Sequence, residues 1–147
     1  SAHIGLGLLI VSIALNSEFS SERAINIKLK GNDTYLGHEI NFDNLELIKM
    51  SNHDSVRASF IVNDPKGKRF ILSPEKRKYF TRGQITTETA IHATPLKDIY
   101  ITLGDQLDDG SWIVNIQFNY FIRWVWFSAI LMALAGSLLA FSLRRAN

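Results

Sequence analysis

The chain has 147 residues, a formal net charge of only +2, 46% hydrophobic residues and no cysteine. Without thiols it can build neither a disulfide staple nor a thiol-dependent active site, and so small a charge leaves no electrostatic footprint for nucleic acid. Two apolar ends leave about a hundred residues between them, enough for one small domain with one core.

The chain opens on an uncharged stretch, Ala2 to Leu15 (AHIGLGLLIVSIAL), too short to cross a bilayer alone. It lacks the basic n-region of a secretory signal. The simplest reading is that the chain begins inside a transmembrane helix, with residues 1–16 as its last turns and an exit near Asn16 on the extracytoplasmic side. The polar stretch Asn16 to Glu22 (NSEFSSE) then leads into a folded domain over residues 17–120.

Within that domain apolar residues recur mostly with period two. Ile25, Ile27 and Leu29 alternate with polar neighbours, as do Ile40 and Phe42, and Leu45 and Leu47 continue the pattern. Gly31-Asn32-Asp33 and Gly37-His38 punctuate these runs as turns. Val56 to Val62 and Arg69 to Leu72 flank a Pro- and Gly-containing link, which predicts a hairpin. Ile99 to Leu103 and Trp112 to Phe118 predict another, with an Asp109-Gly110 turn signal between them. Six or seven short strands without a convincing amphipathic helix predict a mainly β, antiparallel extracytoplasmic domain. A small barrel or a sandwich satisfies this, and an OB-like arrangement is among the options. A short helical turn over 87–93 is an open alternative.

Trp124 to Leu143 carries no charge, and a helix of that length covers about 30 Å, the thickness of a hydrocarbon core. Residues 121–143 are therefore expected to form a transmembrane helix that flanks the domain. Tyr120, Phe121, Trp124, Trp126 and Phe127 crowd its first end as an interfacial belt, and Arg144 and Arg145 mark a cytoplasmic tail over 144–147. Phe118 to Arg123 joins the last strand almost directly to this helix, which predicts a rigid junction.

His3 is the residue that stands out chemically. It lies about 18–20 Å of helix before the exit, and ionisable groups at such depth mark function or a specific partner. A neutral imidazole there suits an axial haem ligand. Gly5 and Gly7 would let a flat macrocycle or another helix approach the backbone. A histidine that hydrogen-bonds a neighbouring helix, or a segment outside the membrane, explains the same residues.

His38, His53 and His92 show no metal-ligand spacing and read as surface or edge histidines. Asp105, Asp108 and Asp109 read as a solvated turn, since they lack the ligand pattern of a calcium loop. Lys66, Lys68 and Arg69, with Lys76, Arg77, Lys78 and Arg82, could form a patch facing lipid headgroups, an acidic partner or a haem propionate. A charged edge that discourages strand pairing is the other reading. There is no nucleophile elbow and no phosphate-cradling glycine pattern.

Taken in order, several stretches carry a family resemblance. They are Ala2-His3-Ile4-Gly5, Ser21-Glu22-Arg23, Ser73-Pro74-Glu75-Lys76-Arg77 with Tyr79, Asp98-Ile99-Tyr100, Leu103-Gly104, Asp109-Gly110-Ser111-Trp112 and Phe121 to Trp126. Together they resemble the C-terminal portion of the CcmF/NrfE family, haem lyase subunits of bacterial cytochrome c maturation, without separating its two branches. The resemblance implies a multi-pass inner-membrane protein that joins haem to apocytochrome c, with residues 17–120 in the periplasm. It implies partners in a haem chaperone and the apocytochrome-handling subunits of the system, contact with the membrane, and no nucleic acid. It also implies a structural haem b between two transmembrane histidines, of which His3 matches one as axial ligand of the iron. The second ligand and the periplasmic histidines that receive incoming haem would lie upstream. This stretch alone is then not catalytic, and its β domain would brace the haem site or dock partner subunits. The alternative of another class is a membrane-tethered periplasmic scaffold or binding module without cofactor chemistry.

Overall fold

The computed structural model describes residues 2–146, without the side chains of residue 2 and of residues 143–146. The side chains of the basic flank at Arg144 and Arg145, and the last residue of the expected 144–147 tail, therefore lie outside the described residues, while the backbone of 144–146 continues the last helix. The chain runs α1 (Ala2–Phe19), β1 (Ser21–Ile27), β2 (Asn32–Tyr35), β3 (His38–Lys49), β4 (His53–Asn63), β5 (Arg69–Leu72), β6 (Glu75–Tyr79), β7 (Ile85–Glu88), β8 (Ala90–Ala93), β9 (Lys97–Gln106), β10 (Trp112–Tyr120) and α2 (Ile122–Ala146). Two compact units result: one holds the helices with Ala93–Asp98, the other holds Glu22–His92 and Ile99–Gln117.

The strands form a β-sandwich of two sheets, one ordered β1-β10-β9-β8 and the other β2-β3-β4-β6-β7, with β5 also on β4. Both predicted hairpins are present in the turn chemistry. Phe60 pairs with Leu72 and Asn63 with Arg69 across β4 and β5. Their turn closes on Asp64, whose carboxylate accepts the N–H of Lys66 and of Lys68, each at 2.8 Å. Between β9 and β10 the Leu107 N–H reaches the Ser111 carbonyl at 2.7 Å, and Gly110 takes a φ of 84°. The β2–β3 turn uses φ of 48° at Leu36 and 75° at Gly37, the paired left-handed conformation that matches strand twist.

Alternation places the core. Ile40 and Phe42 of β3, Ala58, Phe60 and Val62 of β4, Ile99, Ile101 and Leu103 of β9, and Val114, Ile116 and Phe118 of β10 are buried. Phe42 and Phe60 stack with ring centroids 4.7 Å apart. Apart from Ala58, each such side chain removed from water contributes about 1.5–3 kcal/mol.

The structure has more strands than expected. β2, β6 and β7 are short and polar and β8 is only Ala90-Ile91-His92-Ala93, so none carries an apolar alternation long enough to read; pairing with a neighbour defines them instead. The alternative of a helical turn over 87–93 is not what forms: β7 and β8 occupy that stretch, its threonines suiting extended backbone. α1 continues three residues beyond Asn16, where the Ser20 N–H bonds the Asn16 carbonyl at 2.9 Å and closes the last turn.

Candidate functional site

The helices pack through small residues. Along α1 the buried or half-buried residues include Gly5, Leu8, Ser12 and Leu15, three or four residues apart, and along α2 Val125, Ser128, Met132 and Ala135. Such spacing keeps one face toward a neighbour. A Cβ on Gly5 would lie 2.6 Å from Met132 Cγ, so a larger residue requires the Met132 side chain to shift. Ser12 and Ser128 are buried, and each hydroxyl donates to a carbonyl of its own helix, Leu8 at 2.7 Å and Trp124 at 2.6 Å. Neither brings an unmet polar group into the seam.

His3 stands off this seam, exposed on α1. It lines a groove of about 700 Å³ with Leu131, Leu134, Ala135, Leu138 and Ser142 of α2, among others. Gly7 is one turn from His3 and shares its face, and a Cβ there would meet nothing within 4 Å. The two glycines that the sequence presents as equivalent thus differ: Gly5 is filled by α2 and Gly7 faces open space. Gly5→Leu is accordingly expected to destabilise the helix pair by about 1–3 kcal/mol, the usual cost of overpacking. Gly7→Leu should leave it within about 0.5 kcal/mol. Thermal loss of the helical circular-dichroism signal in micelles measures both, and equal effects would contradict the seam.

The first turn of α2 is held by the Ala93–Asp98 segment. The Phe121 N–H reaches the Leu96 carbonyl at 2.9 Å and the Trp124 indole N–H reaches the Pro95 carbonyl at 3.0 Å. Arg123 lies 3.6 Å from the buried carboxylate of Asp98.

In the sandwich, the Ser73–Tyr79 motif resolves by strand alternation. Glu75 is buried and accepts from Arg57 Nη2 at 3.0 Å on one oxygen and from Arg77 Nε at 2.8 Å on the other. Arg77 also pairs with Glu88 across the ladder. The Arg77 hydrogen bond, opposed by burial and reinforced by Arg57, lowers the Glu75 carboxyl from 4.5 to about 2. Lys76 points to the other face and pairs with Asp105 of β9, which holds the Asp105 carboxyl below its usual range. The basic residues of this stretch therefore do not form one patch: successive strand residues face opposite ways.

Asp109 caps its turn, accepting from the Ser111 hydroxyl at 2.5 Å and N–H at 2.9 Å, and these bonds depress its carboxyl. His38 departs from the surface reading. It is buried, with Nδ1 3.0 Å from the Leu36 carbonyl, and belongs to the β2–β3 turn. His53 lies 2.7 Å from the Asn52 side chain, and His92 stacks on Phe70 at 3.7 Å. Among the described residues no group of three or more His, Cys, Asp or Glu could hold a metal ion. The roles of Glu75, Ser12 and Ser128 escaped sequence reading. Period two across Glu75-Lys76-Arg77 was the available signal for the first; nothing local marks the serines.

Residues 18–119 match the family described as the CcmF C-terminal beta-sandwich. The cytochrome c-type biogenesis protein CcmF of Pseudomonas aeruginosa is 32% identical over 97% of the chain. That of Escherichia coli is 35% identical over 98% of it. The chain spans only 22% of the length of either relative. A solved structure, the cytochrome c heme lyase CcmF, superposes with a TM-score of 0.72 over 90% of this chain and 22% of that one; at 13% identity the likeness is one of fold.

Proposed function

The chain belongs to the CcmF family, whose C-terminal β-sandwich it contains, and on that premise we propose that it is the C-terminal part of a membrane haem lyase subunit that attaches haem covalently to apocytochrome c. The observation that carries this reading is the family match across the whole sandwich, set between two apolar helices. In this reading residues 17–120 lie in the periplasm of a multi-pass protein of the bacterial inner membrane. Among the described residues one helix is long and apolar enough to cross a membrane, Ile122–Ser142, with a mean hydropathy of 1.9. The apolar part of α1 (His3–Phe19) is shorter.

His3 is the residue proposed to hold the iron of haem b as an axial ligand. The fit rests on three features: an exposed imidazole, an apolar groove beside it, and open space at Gly7 on the same face. When bound there, the haem would supply redox chemistry. The chain itself supplies position. The Gly5 seam would fix the height of His3 against α2, and the leucines of the groove would offer an apolar wall beside the imidazole. The helical unit contains no second histidine, so the other axial ligand would come from elsewhere in the full-length protein. The sandwich would serve as a support, or as a dock for the haem chaperone and apocytochrome-handling subunits.

His3→Ala in the full-length protein is expected to abolish the haem b bands in the reduced absorption spectrum of the purified protein while the protein still accumulates in the membrane. Unchanged bands would overturn the assignment.

A further inference from the structure

Where α2 begins, a charge stands in an apolar corner. Arg123 lies in the first turn of the helix whose Ile122–Ser142 stretch is long and apolar enough to cross a membrane. With Pro95, Trp124 and Phe127 it lines a pocket of about 280 Å³. The walls of this pocket are held in place. The Trp124 indole N–H donates to the Pro95 carbonyl at 3.0 Å, and the Phe127 ring meets the indole edge-on, with centroids 6.1 Å apart. Phe127 is one turn from Arg123 and shares its face. At 53% exposure it continues the pocket as an apolar surface leading away from the charge.

The charge itself is only partly answered. Among the described residues the Arg123 side chain has one partner, the Asp98 carboxylate, 3.6 Å from its Nε. That distance is too long for a hydrogen bond, and the Asp98 oxygen concerned accepts none from elsewhere. The carboxylate is covered, with 8% of its side chain exposed, whereas the Arg123 side chain is 57% exposed. The guanidinium thus keeps its N–H donors for a ligand from outside. Another helix laid over this corner would bury those donors without an acceptor, which is costly. A phospholipid brings phosphate oxygens that match the guanidinium fork and an acyl chain for the apolar wall. Tryptophan and arginine at the head of a span stand at headgroup level.

We propose, on the reading of α2 as a membrane span, that this pocket holds an anionic phospholipid, its phosphate on the Arg123 guanidinium and the start of an acyl chain against Phe127. A choline headgroup would set a second cation beside the guanidinium, so the pocket selects against it.

The test uses the whole chain carrying Trp126→Phe, which leaves Trp124 as the tryptophan of α2; Trp112 is buried in the sandwich and adds a constant background. Vesicles mix phosphatidylcholine with phosphatidylglycerol, either lipid being brominated near the headgroup end of its acyl chains. Quenching of Trp124 fluorescence then gives the relative association constant of the two lipids at the pocket. Phosphatidylglycerol is expected to bind about fivefold more strongly, and the preference should vanish in Arg123→Gln. It should fall to about twofold or less in Arg123→Lys, which keeps a cation beside Asp98 but lacks the planar fork. Equal constants in the parent would overturn the proposal. So would the full preference in Arg123→Lys, because the attraction would then be diffuse. Strong quenching in either case leaves the span standing; no quenching by either lipid would overturn span and pocket together.

Discussion

Glu75→Gln is expected to destabilise the sandwich by about 2–3 kcal/mol at pH 7 and to remove most of its sensitivity to acid between pH 5 and 2. The carboxylate is buried and holds two guanidinium groups, Arg57 and Arg77, on its two oxygens. An amide keeps the shape but can accept on only one atom, and it leaves Arg77 facing a donor. The sign of the pH effect follows from the direction of the shift. Because the carboxyl is lowered from 4.5 to about 2 in the folded chain, its contribution is fully present above pH 4.5 and is lost as the pH falls toward 2. The Arg57 side chain is 43% exposed, so solvent screens part of the attraction and holds the figure below that of a fully buried pair. Hydrogen exchange of β4 and β6 amides, measured across that pH range, reads the effect. A parent-like acid response in Glu75→Gln would mean that the ion cluster contributes nothing to folding.

The sequence was legible where backbone chemistry is local. The β4–β5 and β9–β10 hairpins follow from Asp, Pro and Gly at fixed turn positions, and the helices follow from uncharged length. It was opaque where a neighbour distant in sequence decides. β6 reads as a basic cluster, Lys76-Arg77-Lys78, until pairing with β4 sends Arg77 toward Glu75 and Lys76 toward Asp105. Gly5 and Gly7 look alike because the atom that distinguishes them, Met132 Cγ, belongs to a helix more than a hundred residues away. His38 resembles a turn residue and is one, yet its ring is buried. For the candidate site, His3 is visible as an odd residue in an apolar run; the groove beside it depends on how α1 meets α2.

The same divide separates Phe60 from Leu47, both apolar residues of the predicted strand runs. Phe60→Ala is expected to cost about 3–5 kcal/mol, since the ring is fully buried and stacks on Phe42. That is a large share of the roughly 5–15 kcal/mol that stabilises a domain. Leu47→Ala should change stability by no more than about 0.5 kcal/mol, because its side chain is already in water. Both residues lie on the inner face of the same sheet, so the contrast measures where the second sheet stops covering it. Urea unfolding followed by hydrogen exchange of β3 and β4 amides gives both values. A cost at Leu47 approaching that at Phe60 would mean that the core extends along β3 as far as Leu47.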